Sequence, residues 1–193
     1  MKRICVFCGS SAGKNPAYRD AAEALGRLLA REGIGLVYGG SSVGLMTAVA
    51  DAALTAGGEV IGVIPRSLEA KEIAHPGLSA LHVVGSMHER KALMVELADG
   101  FVALPGGMGT FDEFFEVVTW AQLGIHVKPC GFLNVEGYYD RLTAFLDHAV
   151  AEGFVKGDHR EMIIVEERPE ELLERFRAYR SPVVERWLDL GGV

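Results

Sequence analysis

What most constrains this chain is its regular alternation of short apolar runs with longer helical patterns. Ile4 to Cys8 is a compact apolar run, and Tyr18 to Arg31 follows with Ala21, Leu25, Leu28 and Leu29 at helical spacing. Gly33 is a helix stop, and Gly35 to Tyr38 predicts a second strand. The alternation continues with a helix over 43–56, a strand over 59–64 ended by Pro65, and a strand over 80–84 after a polar loop. A helix over 87–98, with Ser86 as N-cap, leads to a strand over 100–104 and a helix over 109–123. Strands over 129–133 and 161–165, and helices over 138–152 and 169–179, complete the pattern. A last short helix is expected over 182–190.

Strand–helix alternation of this kind implies a mainly parallel sheet covered on both faces by helices. With right-handed crossovers it gives an α/β, doubly wound, Rossmann-like three-layer sandwich. No repeat, low-complexity segment or linker interrupts it, so one domain is expected over 1–180, with a tail over 181–193. In such sheets ligands bind beyond the carboxyl ends of the strands. The loops after strands are therefore the place to look for chemistry.

Composition narrows the partners. At 193 residues the chain is long enough to bury a core without staples. A net charge of -7 argues against broad nucleic-acid binding, which needs a basic surface. It leaves room for a small anionic ligand in a locally positive site. No apolar stretch is long enough for a membrane span, and the run after Lys2-Arg3 is too short for a signal peptide. Cys5, Cys8 and Cys130 are too few and too odd for a disulfide framework, which fits a reducing, cytoplasmic setting. Cys5 and Cys8 form C-x-x-C without a second pair. Their odd spacing in a strand sends the side chains to opposite faces, so they are expected to be buried structural cysteines. The histidines show no metal-ligand spacing, and no metal or other cofactor is expected.

Three post-strand loops are rich in glycine and small residues: Cys8-Gly9-Ser10-Ser11-Ala12-Gly13-Lys14, Tyr38-Gly39-Gly40-Ser41-Ser42-Val43-Gly44, and Leu104-Pro105-Gly106-Gly107-Met108-Gly109-Thr110. Glycine lets a backbone approach a ligand closely, and the free N–H groups of a helix start form an anion site. Several such loops at one sheet edge suggest a phosphate cradle, with donors from Ser10, Ser42 or Thr110. Each loop alone has a bland reading, since tight strand-to-helix turns need glycine anyway. Two familiar nucleotide motifs fail. Gly9 to Asn15 is one residue short of a P-loop and ends in Asn, and no G-x-G-x-x-G fingerprint is present.

The third loop continues as Pro105-Gly106-Gly107-Met108-Gly109-Thr110-Phe111-Asp112-Glu113, a P-G-G-x-G-T-x-x-E pattern, and Met87-His88-Glu89-Arg90-Lys91 carries an Arg-Lys pair on the preceding helix. With Cys8-Gly9-Ser10-Ser11 and Tyr38-Gly39-Gly40-Ser41-x-x-Gly44-Leu45-Met46, these motifs resemble the LOG ("lonely guy") family. Those are cytokinin riboside 5′-monophosphate phosphoribohydrolases, once widely labelled lysine decarboxylases. The resemblance runs to about Tyr179. It implies hydrolysis of the N-glycosidic bond of AMP or an N6-substituted AMP to free base and ribose 5-phosphate. It implies Arg90 and Glu113 as the catalytic pair. The phosphate cradle it implies is Gly107, Gly109 and Thr110, together with Gly106 and Met108. Glu72, Lys91 and Thr119 are implied as further substrate contacts, with Gly9, Ser10, Gly39 and Gly40 lining the site. A homodimer with sites near the interface is implied as well.

The residues make chemical sense in those roles. Breaking a ribosyl–base bond develops positive charge on the sugar, which a carboxylate stabilises, attacks, or answers by activating water. Glu113 lies one helical turn past Gly109 and Thr110, so a phosphate on the helix start and a carboxylate at the sugar fit one nucleotide. Arg90 stays charged near neutral pH and is suited to positioning and electrostatic stabilisation, not to general acid work. Three other readings use the same residues differently. A non-catalytic nucleotide or molybdenum-cofactor carrier needs the glycine loops but not Glu113. Pyridoxal-phosphate decarboxylation needs a lysine placed for a Schiff base. A scaffolding dimer needs neither.

Overall fold

Local signals start and stop the helices. In the computed structural model, which describes residues 1–69 and 74–182, the first helix, α1 (Pro16–Arg31), begins two residues earlier than apolar spacing predicts. Asn15 caps it, its side chain accepting from the Ala17 N–H at 3.0 Å, and Pro16 takes the first turn, where no N–H is needed. Gly33, in a left-handed conformation, follows its end. Ser86 caps α4 (Met87–Leu97) as expected, accepting from Glu89 N–H at 3.1 Å, while the Glu89 carboxylate accepts from Gly85 N–H at 2.7 Å.

Seven strands are described: β1 (Arg3–Phe7), β2 (Gly35–Tyr38), β3 (Val60–Pro65), β4 (Ala80–Val84), β5 (Phe101–Ala103), β6 (Cys130–Leu133) and β7 (Ile163–Glu166). They form one sheet in the order β4-β3-β2-β1-β5-β6-β7, and every pairing is parallel. The sheet is thus wholly parallel among the described residues. The other helices are α2 (Gly44–Thr55), α3 (Arg66–Glu69), α5 (Met108–Gln122), α6 (Asp140–Ala151), α7 (Gly157–Glu161) and α8 (Pro169–Ala178). A 3-10 turn occupies Val135–Gly137. The short α3 and α7 were not expected, because one turn is too brief to carry a period. The helix expected over 182–190 lies, past Pro182, outside the described residues.

Two cores flank the sheet. One packs α1, α2 and α8 against Ile4, Val6, Leu36, Tyr38 and Val102. The other packs α4, α5 and α6 against Cys5, Phe7, Val37, Phe101 and Phe132. This is the doubly wound three-layer sandwich. Cys5 and Cys8 fall in different cores, as their spacing predicts, and burial holds both thiols up in the neutral form. The chain winds from β1 outward through β2, β3 and β4, then crosses back to β5 on the other side. The switch point therefore lies between β1 and β5, and it is there that this class of sheet opens a crevice.

Candidate active site

All three glycine-rich loops reach this rim, but they use their backbone groups differently. The first loop ends at the Asn15 cap, which takes one helix-start donor of α1. The second leads into α2, whose Leu45 N–H is taken by the Gly9 carbonyl at 3.0 Å. Gly44 sits at φ +55, and a Cβ there would run into the Ser10 backbone, so the two loops press directly together. The third loop opens α5 at Gly107, which offers no side-chain cap. Among the described residues no acceptor takes the N–H groups of Met108, Gly109 or Thr110. A Cβ at Gly107 or Gly109 would meet no atom of the described residues within 4 Å.

Beside these amides is a cavity of about 230 Å³, lined by Cys8, Gly9, Ser10, Met46, Arg90, Gly107, Met108, Gly109, Thr110 and Glu113. Arg90 and Glu113 are only 8% and 9% exposed, and their side chains pair at 3.1 Å (Nη1 to Oε1). Arg90 is also fixed by its Nε, which donates to the Val63 carbonyl at 3.1 Å. Pairing and hydrogen bonding compensate a buried charge that would otherwise be costly. Gly39 serves this pair, since a side chain there would collide with the Arg90 guanidinium. A groove of about 430 Å³ between α1 and α2 is larger, but Arg19 and Arg27 on its wall are both spent on Glu23 and exposed.

The remaining sequence candidates that are described do not line the cavity. Lys91 turns to α5 and pairs with Glu116 at 2.9 Å and Asp112 at 3.2 Å. Burial works against its ammonium, but hydrogen bonds to Glu116 and Asp112 outweigh it and hold the pKa above the usual lysine value. Thr119 donates to the Phe115 carbonyl at 2.7 Å and borders a shallow depression of about 730 Å³ with Phe111, Phe115 and Trp120. Gly40 packs toward Leu81 and Gly62, and Gly106 packs on Thr110 and Gly9. Glu72 lies outside the described residues. Conversely, Cys8 and Met46 line the cavity without having been singled out as candidates. Their place in the matching loop segments was the available signal.

Fold and crevice define a class: a Rossmann-like α/β protein with a polar crevice and a buried arginine–carboxylate pair at its switch point. Residues 46–176 match the model of the family described as "Possible lysine decarboxylase", and the chain belongs to this, the LOG family. A probable cytokinin riboside 5′-monophosphate phosphoribohydrolase of Oryza sativa subsp. japonica is 53% identical over 179 residues, covering 93% of this chain and 79% of its own. A cytokinin riboside 5′-monophosphate phosphoribohydrolase of Arabidopsis thaliana is 51% identical over 179 residues, covering 93% and 84%. Among solved structures, a molybdenum cofactor binding protein of Rippkaea orientalis superposes with a TM-score of 0.70 at 24% identity, covering 92% of this chain and 97% of its own. The molybdenum cofactor carrier protein of Chlamydomonas reinhardtii superposes at 0.69 and 21%, covering 92% and 99%. At those identities the likeness is one of fold.

Proposed function

We propose that this protein is a phosphoribohydrolase that cleaves the N-glycosidic bond of AMP or an N6-substituted AMP, releasing free base and ribose 5-phosphate. The observation that carries the reading is the juxtaposition of open α5 amides with the buried Arg90–Glu113 pair in one cavity. The roughly 50% identity to proteins named for this reaction supports it.

In this reading the 5′-phosphate sits on the N–H groups of Met108, Gly109 and Thr110, where the positive end of the helix dipole adds to the hydrogen bonds. Glu113, one turn further along the same helix, faces C1′. Its carboxylate stabilises the positive charge that develops as the base departs, and water completes the hydrolysis. Arg90 holds the Glu113 carboxylate in place through their 3.1 Å pairing and supplies a fixed positive charge beside it. The cavity is smaller than the roughly 300–1,000 Å³ of common ligand pockets, so it accommodates the sugar phosphate while the base extends toward the opening. Lys91 acts from outside, holding α5 through Asp112 and Glu116. The protein works as a cytoplasmic homodimer. The half-buried Phe111, Phe115 and Trp120 and the exposed Ile125 and Val127 support a partner surface on the outer side of α5.

Incubation of the purified protein with AMP and with isopentenyl-AMP, followed by chromatography for free base, tests the reading. Base release that disappears in Glu113→Ala supports it. A carrier on the same fold would bind the nucleotide tightly and release nothing.

A further inference from the structure

The three carbonyls just before the Gly107 cap of α5 are all hydrogen-bonded within the protein. The Tyr139 hydroxyl donates to the Leu104 carbonyl at 2.7 Å, Gly9 N–H to the Pro105 carbonyl at 3.0 Å, and the Tyr138 hydroxyl to the Gly106 carbonyl at 2.5 Å. The last bond has a consequence for the crevice. The Gly106 carbonyl and the Gly107 N–H belong to one planar peptide unit, and no described peptide is cis. They therefore point in opposite directions. Drawing the carbonyl toward Tyr138 turns the Gly107 N–H away from Tyr138. Glycine on both sides makes this peptide easy to flip. A flip would present a carbonyl oxygen to the crevice and repel an anion.

Tyr138 is well held for such a task. Two successive left-handed residues, Glu136 at φ +53 and Gly137 at φ +66, bring the chain round to it after β6. Its ring is met edge-on by Tyr139 at 5.0 Å and by Tyr18 at 5.6 Å. Tyr139 in turn stacks on Phe132 at 4.2 Å, so the rings run from the core out to the loop. Tyr139 provides an internal contrast. The residue after the carbonyl it holds is Pro105, which has no N–H to aim.

We propose that Tyr138 is a positioning residue for the 5′-phosphate, its hydroxyl pinning the Gly106–Gly107 peptide with the N–H facing the crevice. This rests on the phosphate seat proposed above. Tyr138 is 37% exposed, so Tyr138→Phe removes the hydroxyl without opening the core. The experiment measures KM and kcat for AMP, inhibition by ribose 5-phosphate, and base release from adenosine, in the wild type, Tyr138→Phe and Tyr139→Phe. Losing one hydrogen bond to a charged group predicts a rise of about 10-fold in KM for AMP and in the inhibition constant of ribose 5-phosphate. Turnover at saturation and release from adenosine stay at the wild-type level, and Tyr139→Phe lowers the Tm with no change in KM. Wild-type affinity for AMP and ribose 5-phosphate in Tyr138→Phe overturns the proposal alone, as does an equal loss on adenosine. A wild-type protein that neither prefers AMP to adenosine nor responds to ribose 5-phosphate overturns the phosphate seat as well.

Discussion

α1 and α5 follow the two strands that flank the switch point, and both are preceded by glycine-rich loops, yet their first turns are built to opposite ends. At α1 the Asn15 side chain takes a helix-start donor and Pro16 has none to give. At α5 the cap is Gly107, and among the described residues no side chain answers the amides. One start is finished internally and serves stability. The other is left open toward a cavity that also holds Arg90 and Glu113. Glycine content does not distinguish a closed turn from an anion seat; the fate of the N–H groups does.

The largest effect that sharpens this comparison is expected one turn into α5. Glu113→Gln keeps the side-chain volume and removes the charge, and base release from AMP should slow by roughly 10²–10⁴-fold. Single-turnover kinetics would check it, and wild-type turnover would break the assignment. Next is Gly107→Asp, whose new side chain has room and can cap α5 as Asn15 caps α1. By occupying those amides and repelling phosphate it should raise KM for AMP by about 10- to 100-fold. Because glycine is itself a fair cap, the change should stabilise the fold by only roughly a few tenths of a kcal/mol. Unchanged KM would place the phosphate elsewhere. The reciprocal change, Asn15→Ala, should cost about 1 kcal/mol in a denaturant titration and leave KM alone.

The smallest effect concerns the far end of α5. Buried His126 accepts from Lys128 N–H through Nδ1 at 3.1 Å, which leaves Nε2–H to donate to the Val117 carbonyl at 2.9 Å. Burial lowers its pKa, and the hydrogen bond to Val117 only partly offsets this. The unfolded chain protonates near the ordinary value of about 6.5, whereas the folded chain resists. The contribution is thus present above that pH and is lost as pH falls toward the depressed folded pKa. Amide protection factors around Val117 should fall on acidification before those in α1 do, and His126→Phe should flatten the acid side of the Tm profile.

Much of this was legible in the residues. The strands over 35–38 and 80–84 appear at their expected bounds, because β-branched runs between glycines and polar turns leave little alternative. Arg90 and Glu113 were marked by the motif, and they meet because β3 and the switch point bring α4 beside α5. Lys91 could not be separated from Arg90 by sequence. Adjacent residues on a helix point about 100° apart, and which one enters the crevice depends on Asp112 and Glu116 across the gap. Tyr138 was missed for a related reason. Its hydrogen bond spans 32 residues and depends on a left-handed turn at Glu136, a conformation that no local pattern announces.

A crystal structure of the slow Glu113→Gln variant with AMP tests the central claim most directly. The account predicts phosphate oxygens about 2.7–3.2 Å from the amide nitrogens of Met108 to Thr110, with C1′ beside residue 113. A phosphate held instead in the groove between α1 and α2, or by Lys91 alone, would contradict it.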